Sequence, residues 1–319
     1  MAQKILSPIT ENNDAADLIE AKIAKLFKDE IYLPLLRELT FSDDVIQNSR
    51  SKLKQALKSG RITFYRGQFK GRFNSFLSKE LKKLGATWNR KHGSWDLQAS
   101  SLPSEIREEI SKASIALEKK TSKASKYLAK LSPKKIADKL NIEKIVRTEV
   151  SNIDIQVSNQ LGDVTVYVEL TPEQKQRIVE NYTENMKLYI QEWTEKEIVK
   201  LREEVEVNVK TGIRSEHLAE QISKRYGVSK SKAKFLARQE TRLLTTELQK
   251  ERYLDAGVNK YIWKNVIGSP NHPVRPFHKN LNGSLQSWDN PPIINDKGDR
   301  KNPGQDYNCR CKAYPVLEF

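Results

Sequence analysis

A chain of 319 residues is long enough for about two domains. Its 56 Lys and Arg against 41 Asp and Glu leave a formal net charge of +15, which points to an anionic partner, DNA first and an acidic protein face second. A hydrophobic share of 37% beside 30% charged residues is low for an enzyme built on one large core and suits elongated helices with narrow apolar stripes. No run approaches the ~20 apolar residues of a membrane span, and MAQKILSPIT lacks a secretory hydrophobic stretch. The expectation is therefore no membrane contact and residence in the cytoplasm of the cell that makes the protein.

The fold class expected is α+β, mainly α-helical. Between Asp14 and Thr40 the residues Leu18, Ile19, Ile23, Leu26 and Phe27 line one helical face, and a second helix is expected around Val45 to Leu57. These form an N-terminal helical arm, residues 1–57. Residues 58–102 change texture. RITFY is a short β-like run, Phe73, Phe76, Leu77, Leu81 and Leu84 repeat at helix spacing, and ATWNRKHGSWDL gives two short strands around His92-Gly93. This predicts a small basic β-α-β-β insert in which Arg66, Lys70, Arg72 and Arg90 are the nucleic-acid-binding candidates, interleaved with aromatics that serve either as stacking groups or as the module's own core.

Residues 103–212 read as a helical body. Its lysine-dense stretch EKKTSKASKYLAKLSPKK is broken by Pro133, and the alternation of IDIQV and VTVYVEL around Gly162-Asp163 predicts a β-hairpin over 153–170. Thr171-Pro172-Glu173 then supplies an N-cap, a proline at the first helical position and an early acid. The long helix it opens carries a stripe from Ile178 through Tyr182, Met186, Tyr189, Trp193, Ile198 and Leu201 to Val205. Trp193 is the expected anchor for a partner protein. A shorter helix from Ser215 is expected to stop at Gly227 and another to run from Ser229 to Gly257.

The segment after Trp263 has little periodic apolar pattern and holds both cysteines of the chain, Cys309 and Cys311, with His272 and His278 upstream. Cysteines one residue apart are poorly placed to bond to one another. Two thiolates with one or two imidazoles are what a tetrahedral zinc site needs, so structural zinc is the expected cofactor, with His278, Cys309, Cys311 and His272 as candidate ligands. Nucleophilic catalysis by Cys309 with His278 as base is the other chemistry these residues allow.

The ordered set FLARQETRLL, AGVNKYIW, HPVRPFHKNLNG and NPGQDYNCRC resembles the Mu F-like minor head proteins of tailed bacteriophages over roughly residues 213–316, which sets the expected C-terminal domain at 213–319. Members share a helix with an Arg-x-Glu-Thr-like core, a Gly before a Trp-bearing strand, a Val-Arg-x-x-His or Val-Cys-x-x-Cys element, a following Gly and a terminal Asn-Cys-Arg-Cys. His278 falls at the second ligand-like place, Arg275 where other members have Cys, and Cys309 and Cys311 on the closing pair. Where some members have His before that pair this chain has Asp306, which leaves His272, Asp306 or water for the fourth place. The resemblance implies a C-terminal small α/β head-morphogenesis domain and a non-enzymatic capsid-assembly protein. Its implied partners are the portal protein, other capsid or scaffolding proteins and non-specific double-stranded DNA. Its implied location is the procapsid interior and virion, after assembly in the bacterial cytoplasm. A head-carried effector that cleaves or modifies nucleic acid, or a DNA-binding structural protein, is the alternative.

Overall fold

The computed structural model describes residues 3–9, 13–39, 52–58, 61–162, 169–211, 215–266 and 273–318. The chain divides into two compact units interleaved along the sequence: residues 25–139 with 189–229, and residues 1–24 with 140–188 and 230–319. Among the described residues no helix is long and apolar enough to cross a membrane.

The first of these units contains the basic insert. Its strands are β2 (Ile62–Tyr65), β3 (Gln68–Gly71), β4 (Thr87–Asn89) and β5 (Ser94–Asp96), with helix α4 (Ser75–Lys83) between β3 and β4. They pair antiparallel in the order β2-β3-β5-β4. The module thus has one strand more than expected, because the chain turns at Arg66-Gly67 and QFKG pairs straight back on ITFY. Arg66 and Gly67 both take positive φ there, 49° and 78°. The core answers the question about the aromatics: Phe69 and Trp95 are buried with Ile62, Leu77, Leu81 and Leu97, and Phe64 and Phe73 pack against them. Helices α3 (Lys52–Lys58) and α5 (Ser104–Lys130) complete this core with Leu53, Leu57 and Ile106.

In the rest of the unit, a π-helical stretch, Lys28–Tyr32, continues α1 (Asn13–Phe27) into α2 (Leu33–Leu39), and the short α6 (Pro133–Ala137) follows α5. Tyr32 is buried; its hydroxyl meets Glu197 Oε1 at 2.7 Å and Ser229 Oγ at 2.6 Å, and Arg225 grips Glu197 at 2.7 Å and Glu204 at 2.9 Å. Trp193 lies in this packing. It is 5% exposed and stacks on Phe27 with centroids 4.1 Å apart, so the side chain expected as a partner anchor is spent on its own chain. Trp193→Ala is accordingly expected to cost about 3–5 kcal/mol in chemical denaturation, the usual loss for emptying a large aromatic site. A loss under about 1 kcal/mol would return Trp193 to the surface role.

The other unit holds α7 (Glu143–Leu161), parts of α8 (Pro172–Thr211) and α9 (Ser215–Asp255), and a second antiparallel sheet. Helix α7 corrects the expected hairpin: its first arm, from Ile153, is helical, and the segment 163–168 lies outside the described residues. Val146, Val150, Ile153, Val157 and Leu161 are all buried at three- and four-residue spacing, a longer pattern than the five-residue alternation of IDIQV. Asp154 is fixed in that helix by Lys175 at 2.9 Å and Arg252 at 3.4 Å. The expected start of α8 is borne out as a reciprocal cap, in which Thr171 N donates to Gln174 Oε1 (2.8 Å) and Gln174 N to Thr171 Oγ1 (3.2 Å). Helix α9 runs through Gly227 without a break, where two helices had been expected. One interior glycine costs a helix only about 1 kcal/mol, which packing along 41 residues outweighs.

The sheet of this unit has the order β1-β8-β6-β7. Strands β6 (Lys260–Lys264), β7 (Leu285–Ser287) and β8 (Lys312–Glu318) come from the tail, and the N-terminal β1 (Gln3–Ile5) adds to the free edge of β8. Its core is aromatic: Tyr261 and Trp288 lie 4.4 Å apart, Trp288 stacks on Tyr253 of α9, and Asn302 receives the Tyr261 hydroxyl at 3.0 Å.

Candidate metal centre

Three elements of the tail converge beside this sheet. Strand β6 supplies Trp263, the short helix α10 (Pro276–Asn280) supplies His278, and the loop entering β8 supplies Cys309 and Cys311. Pro276 at the first helical position fixes the entry of α10 and sets His278 in its first turn, 2% exposed. Trp263 lies edge-on to the imidazole at 5.4 Å and 82°. Asn308 takes φ of +51°, a conformation asparagine tolerates, and so turns the chain to aim Cys309 inward.

The side chains meet closely enough to hold one metal ion between them. His278 Nδ1 lies 3.5 Å from Cys309 Sγ and 3.7 Å from Cys311 Sγ, and the three ligand atoms fall within 4.8 Å of one another. Zinc bonds of about 2.3 Å to sulfur and 2.0–2.1 Å to nitrogen at a tetrahedral angle place those atoms about 3.6 Å apart. The residues fit the metal, and two thiolates with an imidazole select zinc over magnesium or calcium. The Cys311 thiol, donating to Cys309, holds it below the ordinary thiol range despite burial, with His278 adding to the effect, while the same contact and burial push Cys311 up. Among the described residues no further His, Cys, Asp or Glu joins the cluster. His272 lies outside the described residues. A cavity of ≈230 Å³, lined by the three ligands with Arg275 and Arg310 among others, opens beside the site.

A second ring of residues holds the loop, and sequence reasoning missed most of it. Asp306 Oδ2 lies 3.4 Å from His278 Nε2, and the same carboxylate is held by Arg275 at 3.0 Å and Lys301 at 3.1 Å. Burial pushes the Asp306 carboxyl up, but hydrogen bonds from Lys301 and the Tyr307 N–H, with the Arg275 charge, hold it below its ordinary value. From α9, Gln239 accepts the Asn308 N–H at 2.7 Å and donates to the Asp306 carbonyl at 3.4 Å. Arg242 donates to the Cys309 carbonyl at 3.3 Å and Thr246 to the Pro303 carbonyl at 3.0 Å. Gly304, at φ of +90°, lets the loop come so close that a Cβ there would stand 2.6 Å from Thr246 Oγ1. Gln239 and Arg242 of FLARQETRLL, with Thr246 just beyond it, thus clamp the cysteine loop.

The basic candidates are placed differently. In the insert, the Arg66 turn lies beside Leu97, whose N–H donates to Gly67 O at 2.8 Å, while the turn carrying Arg90 closes the Asn89–Ser94 end of the β4–β5 pair. Antiparallel register therefore puts Lys70, Arg72 and Arg90 toward one end of the sheet and Arg66 at the other. Arg72 is ion-paired with Glu220. Helix α5, by contrast, presents Lys119, Lys123, Lys126 and Lys130 exposed at spacings of four, three and four, which is one helical face. Their neighbour Lys120 is lowered to about 8 by burial and by the charge of Lys123.

Comparison with known proteins gives these features a context. Residues 199–314 match the family described as phage Mu protein F like protein, which bears out the resemblance over about a third of the chain and covers His278, Cys309 and Cys311. The chain is also 27% identical over 169 residues to an uncharacterized protein of Haemophilus influenzae, covering 53% of this chain and 36% of that relative. The match thus spans little more than a third of the relative's length. No solved structure matches the chain significantly.

Proposed function

We propose that this chain, with a Mu F-like module as its C-terminal part, is a minor head protein of a tailed-phage particle that acts by binding rather than turnover. It joins the head at the portal vertex inside the procapsid, with capsid or scaffolding proteins as neighbours, and its basic surfaces face the packaged DNA. The observation that carries this reading is that most of the matched region, residues 230–314, falls in one compact unit, with the clamp residues of α9, strands β6 and β7, the start of β8 and the buried His-Cys-Cys cluster. Zinc, when bound by His278, Cys309 and Cys311, supplies a structural cross-link there. All three ligands are buried, at 2%, 3% and 7% exposure, as in sites that hold a fold together. Support for the DNA-facing surface is the +15 surplus together with the lysine face of α5.

The test is biochemical fractionation of particles from a lysogen that encodes the chain. The protein is expected in purified heads, and a tagged copy is expected to retain portal protein. Recovery in tails alone, or in neither fraction, would remove the assignment.

A further inference from the structure

We propose that Asp306 is the carboxylate that orients His278 for metal binding, holding Nε2–H so that Nδ1 presents its lone pair between Cys309 and Cys311. The inference rests on the metal reading above and adds which nitrogen binds and what fixes it. His278 Nδ1 faces both sulfurs, at 3.5 and 3.7 Å, and Nε2 faces Asp306 Oδ2, at 3.4 Å. The ring therefore has a sulfur side and a carboxylate side. Nε2 is fully buried and completes no hydrogen bond among the described residues, and the Asp306 carboxylate, 3.4 Å away, is the acceptor placed to take the bond from its proton. The same arrangement takes Asp306 out of the fourth coordination place considered from sequence, since its carboxylate lies on the Nε2 side of the imidazole and the sulfurs on the Nδ1 side.

Asp306 is itself held from several directions, as a positioning residue must be. Arg275 and Lys301 bind one carboxylate oxygen each, Arg275 also donates to the Tyr307 carbonyl, and Gln239 of α9 holds the Asp306 carbonyl. The Arg275 guanidinium serves the ligand shell by fixing the carboxylate behind the histidine. A carboxylate so fixed sets the tautomer and the ring orientation of the ligand and raises its basicity, and loss of such a partner costs roughly 10–100-fold in metal affinity.

The experiment uses the full chain. Cobalt and zinc affinities are measured by chelator competition for wild type, Asp306→Leu and Asp306→Asn, with circular dichroism and thermal melts to show that each is folded. Long-range ¹H–¹⁵N correlation of the histidine rings reads the tautomer. The expected result is a His278 pattern with Nε2 protonated and Nδ1 metal-bound, a 10–100-fold loss of affinity in Asp306→Leu, and partial rescue in Asp306→Asn, whose amide oxygen still accepts. Wild type that loads metal normally, with unchanged affinity in Asp306→Leu or with Nε2 as the coordinating atom, overturns the role of Asp306 and leaves the metal centre standing. Wild type that takes up neither metal overturns both.

Discussion

Expressed with zinc and purified under reducing conditions, the protein is expected to carry one zinc per chain, and Cys309→Ser with Cys311→Ser to carry none. The expectation rests on geometry: His278 Nδ1 stands 3.5 and 3.7 Å from the two sulfurs, close to the spacing zinc imposes, and the three buried ligand atoms lie within 4.8 Å of one another with no disulfide between the cysteines. α10 precedes β7 and Cys311 immediately precedes β8, so a bound metal would tie together the segments that lead into the two neighbours of β6, the strand that carries Trp263. Because the sheet has its own aromatic core, the metal adds to a fold that already exists, unlike a zinc finger, whose folding depends on it. At free zinc of 100 to 1,000 times Kd its removal is expected to lower stability by about 3–4 kcal/mol, by mass action on the native state. Elemental analysis and melts with and without chelator provide the check. Wild type without zinc, or a double variant that melts as the metal-loaded protein does, would be incompatible with a structural site.

Much of this centre was legible in the sequence because its ligand types are rare here and close together: two cysteines and one of four histidines. The clamp was not. Gln239, Arg242 and Thr246 reach their partners across 57 to 69 residues of chain, and an Arg, Gln or Thr on a polar helix gives no sign of which carbonyl it will meet. The helix starts that carry a local chemical signal came through, as the Thr171–Gln174 cap shows. Ile153 to Val157 did not, since Ile153 and Val157, four apart, also share a helical face while Ile155 is left exposed, and the deciding residues, Val146, Val150 and Leu161, lie outside that run. Trp193 illustrates a different limit. Its stripe correctly says that one face is buried, but periodicity cannot distinguish a partner's surface from Phe27 of the same chain. β1 was missed because three residues carry no pattern until β8 offers an edge to pair with.

Replacing Lys119, Lys123, Lys126 and Lys130 by Gln is expected to weaken duplex DNA binding by about three to four orders of magnitude at 0.1 M salt. Wild-type binding is expected to be independent of sequence and steeply salt-dependent, since it rests on release of counterions from phosphates. Each phosphate contact contributes about 0.9 to the slope of log K against log salt, so four lost contacts flatten it by about 3.6. The variant Arg66→Ala, Lys70→Ala, Arg72→Ala and Arg90→Ala is expected to flatten the slope by less. Arg66 lies at the opposite sheet end from the others, and Arg72 already spends its charge on Glu220. Fluorescence anisotropy across a salt series separates the cases. A larger loss in the insert variant would move the DNA-facing surface to the insert, and unchanged slopes in both would assign the basic surplus to an acidic protein partner instead.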